Sequence, residues 1–208
     1  MERPWVNFDG NWEVYPWQNV NVKIPVLRVS SSSGVSVYDT WVSGPSSSLS
    51  EVGLHLNLNS PLTNTFYKHP IVNGWENWNI AEVRIILYKH MIEVVSLTFD
   101  GLDTNAMSWF AKSQLLTSPW KDLKGSSTNF LGIEGSNGNR RFFISSHYSG
   151  CGGDYGWFVV LDADDHCGWT TRSAYPAFSY VSGSSKQNWL SGAVRDADDL
   201  VIFVTLYL

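Results

Sequence analysis

Two aspartate-rich segments are the residues of this chain best suited to gather a cation. Val160-Leu161-Asp162-Ala163-Asp164-Asp165 recurs as Val194-Arg195-Asp196-Ala197-Asp198-Asp199. In extended backbone Asp162 and Asp164 point to one side, with Asp165 able to turn back toward them, and Asp196, Asp198 and Asp199 repeat that arrangement. Carboxylates so close together repel unless something positive sits among them. Calcium, a hard cation taking about six to eight oxygens, is the natural candidate in an extracellular β protein. The EF-hand spacing fails, because its third ligand would fall on His166 and its glycine on Cys167. The competing reading is turn chemistry, in which aspartates accept backbone N–H groups in tight loops.

Aromatic residues form the second constellation. Tyr148, Tyr155, Trp157 and Trp169 flank the two cysteines, Cys151 and Cys167, and Trp75 and Trp78 bracket Glu76 in Asn-Gly-Trp-Glu-Asn-Trp-Asn. Indole and phenol rings stack on the apolar faces of sugars, while Asp and Asn accept hydrogen bonds from hydroxyls. The expected ligand set is therefore Asp154, Tyr155, Trp157, Trp169, Trp75 and Trp78. For any single tryptophan, core packing is the competing reading. Eleven tryptophans are more than a domain of this size is expected to bury fully.

Catalytic signatures are weak, and no residue is assigned a catalytic role. The chain lacks the nucleophile-elbow, zinc-protease, phosphate-loop and dinucleotide motifs. His55, His69, His90, His147 and His166 are dispersed. A glycan-cleaving hydrolase needs two carboxylates across a cleft. Glu76 between its tryptophans is the best acid, with Asp154 or Asp162 as partner.

Composition narrows the function classes. Charged residues make up 16% of the 208 residues, against roughly 25% in an average domain. The net charge of -5 with scattered Lys and Arg excludes a nucleic-acid stripe. No apolar run approaches the ~18 residues of a membrane-spanning helix. The opening Met-Glu-Arg-Pro-Trp-Val lacks the basic and apolar regions of a signal peptide, which fits a cytosolic chain or a mature secreted form. The cysteines, 16 positions apart among glycines, suit a local disulfide better than a four-ligand metal site; two reduced, buried thiols are the alternative.

The elements that must position these groups are strands. Alternating or apolar runs predict them at 20–29, 35–42, 52–58, 130–133, 141–145, 157–161, 178–181 and 200–208, with 83–99 a hairpin turning at Lys89-His90. The one predicted helix is Ala106–Leu116, started near Asn105. The run from Leu200, apolar on both faces, is expected in the middle of a sheet, and Trp157-Phe158-Val159-Val160-Leu161 reads as a core strand. Serine-rich pieces are loop-sized, so residues 1–208 read as one domain. The fold class is all-β: a single-domain antiparallel β-sandwich, jelly-roll-like, with a barrel as second choice.

The tract from Arg140 to Trp169 resembles secreted proteins of marine invertebrates. There a Gly-Cys-x-x-Asp-x-Gly-Trp cluster, here Gly150 to Trp157, precedes a short apolar strand and a second Cys followed closely by Trp. The resemblance implies a Cys151–Cys167 disulfide and secretion, and no particular activity. The combined expectation is a secreted, lectin-like carbohydrate-binding module, with calcium as an assisting ion and a glycan or glycoprotein as partner. The rivals are the hydrolase built on Glu76 and a matrix protein whose acidic loops hold cations.

Overall fold

The computed structural model describes residues 5–6, 12–13, 21–47, 66–136, 139–148 and 150–207. In chain order the strands are β1 (Trp5–Val6), β2 (Trp12–Glu13), β3 (Asn21–Ser30), β4 (Phe66–Lys68), β5 (Ile80–Lys89), β6 (Ile92–Asp100) and β7 (Leu115–Thr117). They continue with β8 (Phe130–Gly132), β9 (Arg140–His147), β10 (Tyr155–Leu161), β11 (Ala177–Val181), β12 (Gln187–Asn188), β13 (Val194–Ala197) and β14 (Asp199–Tyr207). One short helix, α1 (Val37–Ser43), and a 3-10 stretch over Pro70–Asn77 join them. The expected strand at 52–58 lies outside the described residues, as do His55 and the side chains of Trp5, Trp12 and Trp17.

The architecture is an all-β sandwich of two antiparallel sheets. The first runs β4-β3-β14-β5-β6-β7, and the second runs β13-β11-β10-β9-β8, with β12 pairing β10. Both sheets end in edge strands, so neither closes into a barrel. Between them lies one apolar cluster, with Val26, Ile85, Leu97, Phe99 and Ile202 from the first sheet and Phe142, Ile144, Phe158, Val160 and Phe178 from the second. β14 sits between β3 and β5, as the two-faced apolar run 200–208 predicts. β13 leads into β14 through Asp198 alone, so the chain crosses between sheets at that one residue.

Two elements differ from the sequence expectation. Residues 35–42 alternate like a strand, yet 37–43 are helical. Ser36 caps the helix by accepting from the N–H of Asp39 at 3.0 Å. Asp162, far away in sequence, accepts from the N–H groups of Val37 (2.8 Å) and Tyr38 (3.1 Å) and from the Ser36 hydroxyl (2.8 Å). A tertiary cap thus overrides the local pattern. Conversely, 106–116 is not a helix: turns lead into a 3-10 turn at Lys112–Gln114 and then β7. The carbonyl of Ala106, which a helix would give to Phe110, instead accepts the indole N–H of Trp41 (2.8 Å) and of Trp109 (3.1 Å). Asn105 ends the propagation by accepting from Met107 and Ser108, both at 2.9 Å.

The hairpin of β5 and β6 is present, shifted by one residue. Its turn residues are His90 (φ 50°) and Met91 (φ 65°), the left-handed pair that a two-residue hairpin requires. Among the described residues no helix is long and apolar enough to cross a membrane.

Candidate functional site

The cysteine-containing segment folds as a cover. Alternate residues of β9, β10 and β11 point away from the main core: Phe143, Val159, Leu161 and Ala177. Cys167, Trp169 and Trp189 pack over them as a second apolar cluster. Cys151 and Cys167 form a disulfide, with Cα atoms 5.2 Å apart. Trp169 stacks on Trp189 with centroids 5.0 Å apart and planes at 14°. Gly156 makes the close packing possible, because a Cβ there would meet Trp189 at 2.6 Å and the Ile144 carbonyl at 2.7 Å.

Arg140 holds this cover from beneath. Its buried guanidinium donates to Asp154 Oδ2 (3.0 Å), to Cys167 Sγ (3.0 Å) and to Asp165 Oδ2. It lies 4.3 Å from the Trp169 ring centroid and 4.9 Å from that of Tyr148. Asp154 is fully buried and also accepts the indole N–H of Trp169 at 3.2 Å. Reduction of the disulfide should lower the unfolding free energy by about 3 kcal/mol, the loop-closure value for a loop of this size. Urea titrations with and without a dithiol measure the difference. Alkylation should find two thiols only after reduction.

Each aspartate expected to hold calcium takes its donors from the protein. Asp162 caps α1. Asp164 accepts from the His166 N–H (3.2 Å) and lies 3.0 Å from the Thr170 hydroxyl. Asp165 binds Arg140 and the Thr170 hydroxyl (2.6 Å). Asp196 receives two bonds from Arg172, at 2.7 and 3.2 Å, and one from Ser179 at 2.6 Å. Asp198 binds Lys89 (2.5 Å) and the His90 N–H (2.8 Å), and Asp199 binds Arg28 (3.2 Å) and Ser30 (2.6 Å). The two segments do lie near each other. Residues 30–38 bridge them, with Ser30 on Asp199, the Ser31 N–H on the Asp198 carbonyl (2.7 Å) and Ser36 on Asp162. Yet no three His, Cys, Asp or Glu side chains gather as a cation cage among the described residues. Val194–Ala197, expected as loop, is the strand β13.

Local fields act on these carboxyls in opposite directions. Burial pushes Asp165 up, but the Thr170 hydroxyl, the Arg140 guanidinium and the Cys167 N–H outweigh it and hold it below the ordinary value. Asp196 behaves alike, with burial overcome by Arg172, Ser179 and Lys89. Asp162 is the exception: burial keeps it raised despite the Val37, Tyr38 and Ser36 donors and the charge of Arg141.

The expected ligand set is mostly withdrawn from solvent. Of the eight described tryptophan side chains seven are buried, Trp75, Trp157 and Trp169 among them. Most of these buried indoles find acceptors for their N–H groups, Trp157 donating to Asp122 (2.8 Å), Trp120 to the Val181 carbonyl (3.0 Å) and Trp75 to Thr104 (3.3 Å), whereas the Trp189 N–H has none among the described residues. Trp78, 48% exposed, and Tyr155, 41% exposed, remain open to solvent. They do not belong to one element: Tyr155 starts β10, opposite His147 and Asn188, and Trp78 follows the 3-10 stretch.

The concave site with an aromatic wall lies elsewhere, where α1, the 3-10 stretch and the segment 101–110 meet. Trp41, Val42, Val72, Asn73, Glu76, Ala106 and Met107 line a groove of about 380 Å³. His69 starts the 3-10 stretch by accepting from the Ile71 N–H at 3.1 Å, with Pro70 at its first position. This turns Ile71, Val72 and Trp75 inward and leaves Asn73 and Glu76 exposed at the groove. Behind the lining, Trp41, Trp75 and Trp109 pack with centroids 5.9 to 6.2 Å apart and fix the wall. Sequence reasoning singled out Glu76 but missed Asn73 beside it on the 3-10 stretch, and missed Trp41 and Met107 because α1 and the turn at 101–110 that present them are the two misread elements. The chain matches none of the family models, curated proteins or solved structures with which it was compared.

Proposed function

We propose that the protein is a secreted, disulfide-braced carbohydrate-binding module whose ligand occupies the groove between α1, the 3-10 stretch and residues 101–110. One observation carries the reading: two exposed oxygen-bearing side chains, Glu76 and Asn73, stand at the mouth of a cavity whose other lining is apolar or aromatic. That combination suits a sugar, whose hydroxyls donate to oxygens while its C–H faces rest on apolar surface. Trp78, two residues beyond Glu76 and exposed, extends the aromatic surface available to a longer glycan. The disulfide and the resemblance of the Arg140–Trp169 tract support an oxidising compartment.

The hydrolase reading is weaker because the groove lining holds one carboxylate, Glu76, where glycoside cleavage needs two. The matrix reading is weaker because the acidic segments are already neutralised by Arg28, Lys89, Arg140 and Arg172. A glycan array probed in calcium and again in EDTA tests the proposal and shows whether the ion contributes. Asn73→Ala and Trp78→Ala should each weaken the best ligand about tenfold, a loss of ~1.4 kcal/mol, with the melting temperature unchanged. Silence across the array in both conditions removes the carbohydrate reading.

A further inference from the structure

Resting on that carbohydrate reading, we infer that the groove takes an amino sugar carrying a free ammonium group rather than a neutral or N-acetylated one. The inference comes from what the groove offers and what it withholds. Glu76 is the one charged residue of the lining, and its carboxylate has no hydrogen-bond or ion-pair partner among the described residues. Asn73 gives one of its two amide hydrogens to the Ser46 hydroxyl at 3.0 Å, which leaves its oxygen and one N–H to face a ligand. The indole donors around the groove are spent too: Trp41 and Trp109 on the Ala106 carbonyl, Trp75 on Thr104. The side chains of the lining therefore present mainly acceptors and a negative charge, with the second Asn73 N–H their one remaining donor, so the carboxylate of Glu76 is what favours an ammonium over an acetamido group.

The surrounding charge has the same sign. Residues 37–43, 70–77 and 101–110, the three elements that form the groove, carry Asp39, Glu76 and Asp103 and contain no Lys, Arg or His. The cations beside these elements stand outside the lining: Lys68 is buried at the end of α1 with its ammonium on the Gly44 carbonyl at 3.1 Å, and Arg141 lies 4.2 Å from the Tyr38 ring. A cationic ligand is thus drawn in and an anionic one repelled. The cavity, about 380 Å³, is at the lower end of the range of about 300–1,000 Å³ for small-molecule sites. Val42, Val72, Ala106 and Met107 supply apolar walls for the C–H face of one or two sugar rings.

Calorimetric titration of the full chain with three trisaccharides tests this: glucosamine, N-acetylglucosamine and glucose trimers, at a pH where the amine is protonated. The glucosamine trimer should bind at least tenfold tighter than either of the others. Glu76→Gln, which keeps the side-chain shape, should abolish that preference without moving the melting temperature, and 0.5 M salt should reduce it. Equal or tighter binding of the acetylated or neutral trimer overturns the amino-sugar assignment and leaves carbohydrate binding standing. Absence of binding by all three trimers overturns the assignment as well, and silence on the wider array then removes the carbohydrate reading with it.

Discussion

Arg140→Ala should cost about 3–5 kcal/mol of stability, the penalty for breaking a buried ion pair by removing one partner. Asp154 is wholly buried and would keep a carboxylate whose paired cation is gone. Asp165 would lose the same guanidinium, and Trp169 and Tyr148 the cation between their rings. Arg140→Lys should recover only a small part, because an ammonium cannot reach two carboxylates and a sulfur in a planar fork while lying against an indole. Urea denaturation at neutral pH measures both. An Arg140→Ala protein within about 1 kcal/mol of the parent would mean that the cover is held by the disulfide and the Trp169–Trp189 stack instead.

The Arg140–Asp165 ion pair and two others, Arg172–Asp196 and Lys89–Asp198, set the response to acid. Asp165, Asp196 and Asp198 have folded pKa values held below 3.8. A carboxyl whose folded value is depressed contributes stability that is complete above its unfolded value and is lost as the pH falls through the folded one. Asp162, held above 3.8, works in the opposite sense, since its protonation favours the folded chain. Three depressed carboxyls outnumber one raised, so the stability of the parent should decline below about pH 4. In Arg140→Ala the part of that decline due to Asp165 should shrink, since the Thr170 hydroxyl and the Cys167 N–H remain but the guanidinium is gone.

What the sequence disclosed follows from how local each signal is. Trp157 to Leu161 is a core strand, and Leu200 to Tyr207 is central, because uninterrupted apolar runs have few other places to go. The paired cysteines sit close enough in sequence to make the loop readable. The helix α1 was hidden because its first N–H groups are satisfied by Asp162, more than a hundred residues away, an acceptor no local window contains. The turn at 101–110 was hidden because the Ala106 carbonyl is claimed by two indoles, one of them from α1. The groove is built from both elements, so its position could not emerge from composition.

The aspartates make a related point. Asp162-Ala163-Asp164-Asp165 and Asp196-Ala197-Asp198-Asp199 look alike as strings, and both lie near residues 30–38. The first follows β10 and turns to cap a helix and hold the cover; the second is strand and crossover. Their shared composition reflects a shared need for acceptors where strands end. The arginines that answer them, Arg28, Arg140 and Arg172, lie more than twenty residues away along the chain, so the neutralisation is visible only once the chain is folded.

A chain stopped after Asp199 should fail to fold. β14 is the strand that both β3 and β5 pair along nearly their whole lengths, so its loss separates the first sheet into two pieces with open edges. The deletion also removes Leu200, Val201, Ile202, Val204 and Leu206, all buried. At about 1.5–3 kcal/mol for each buried side chain, the loss rivals the entire ~5–15 kcal/mol that stabilises a typical domain. A stop after Leu206 is the matched control. It removes Leu208 and the half-exposed Tyr207, which ends the ladder opposite Asn21 and donates its N–H to the Asn79 carbonyl (3.0 Å), and the protein should fold with a small drop in melting temperature. Circular dichroism and the dispersion of amide resonances distinguish the two. If the chain ending at Asp199 shows a cooperative melt near that of the parent, β3 and β5 must be able to pair without β14, and the central role of this strand is refuted. Adding a peptide of residues 199–208 should restore the melt, because the missing contacts come from a single extended segment whose backbone bonds lie on both sides.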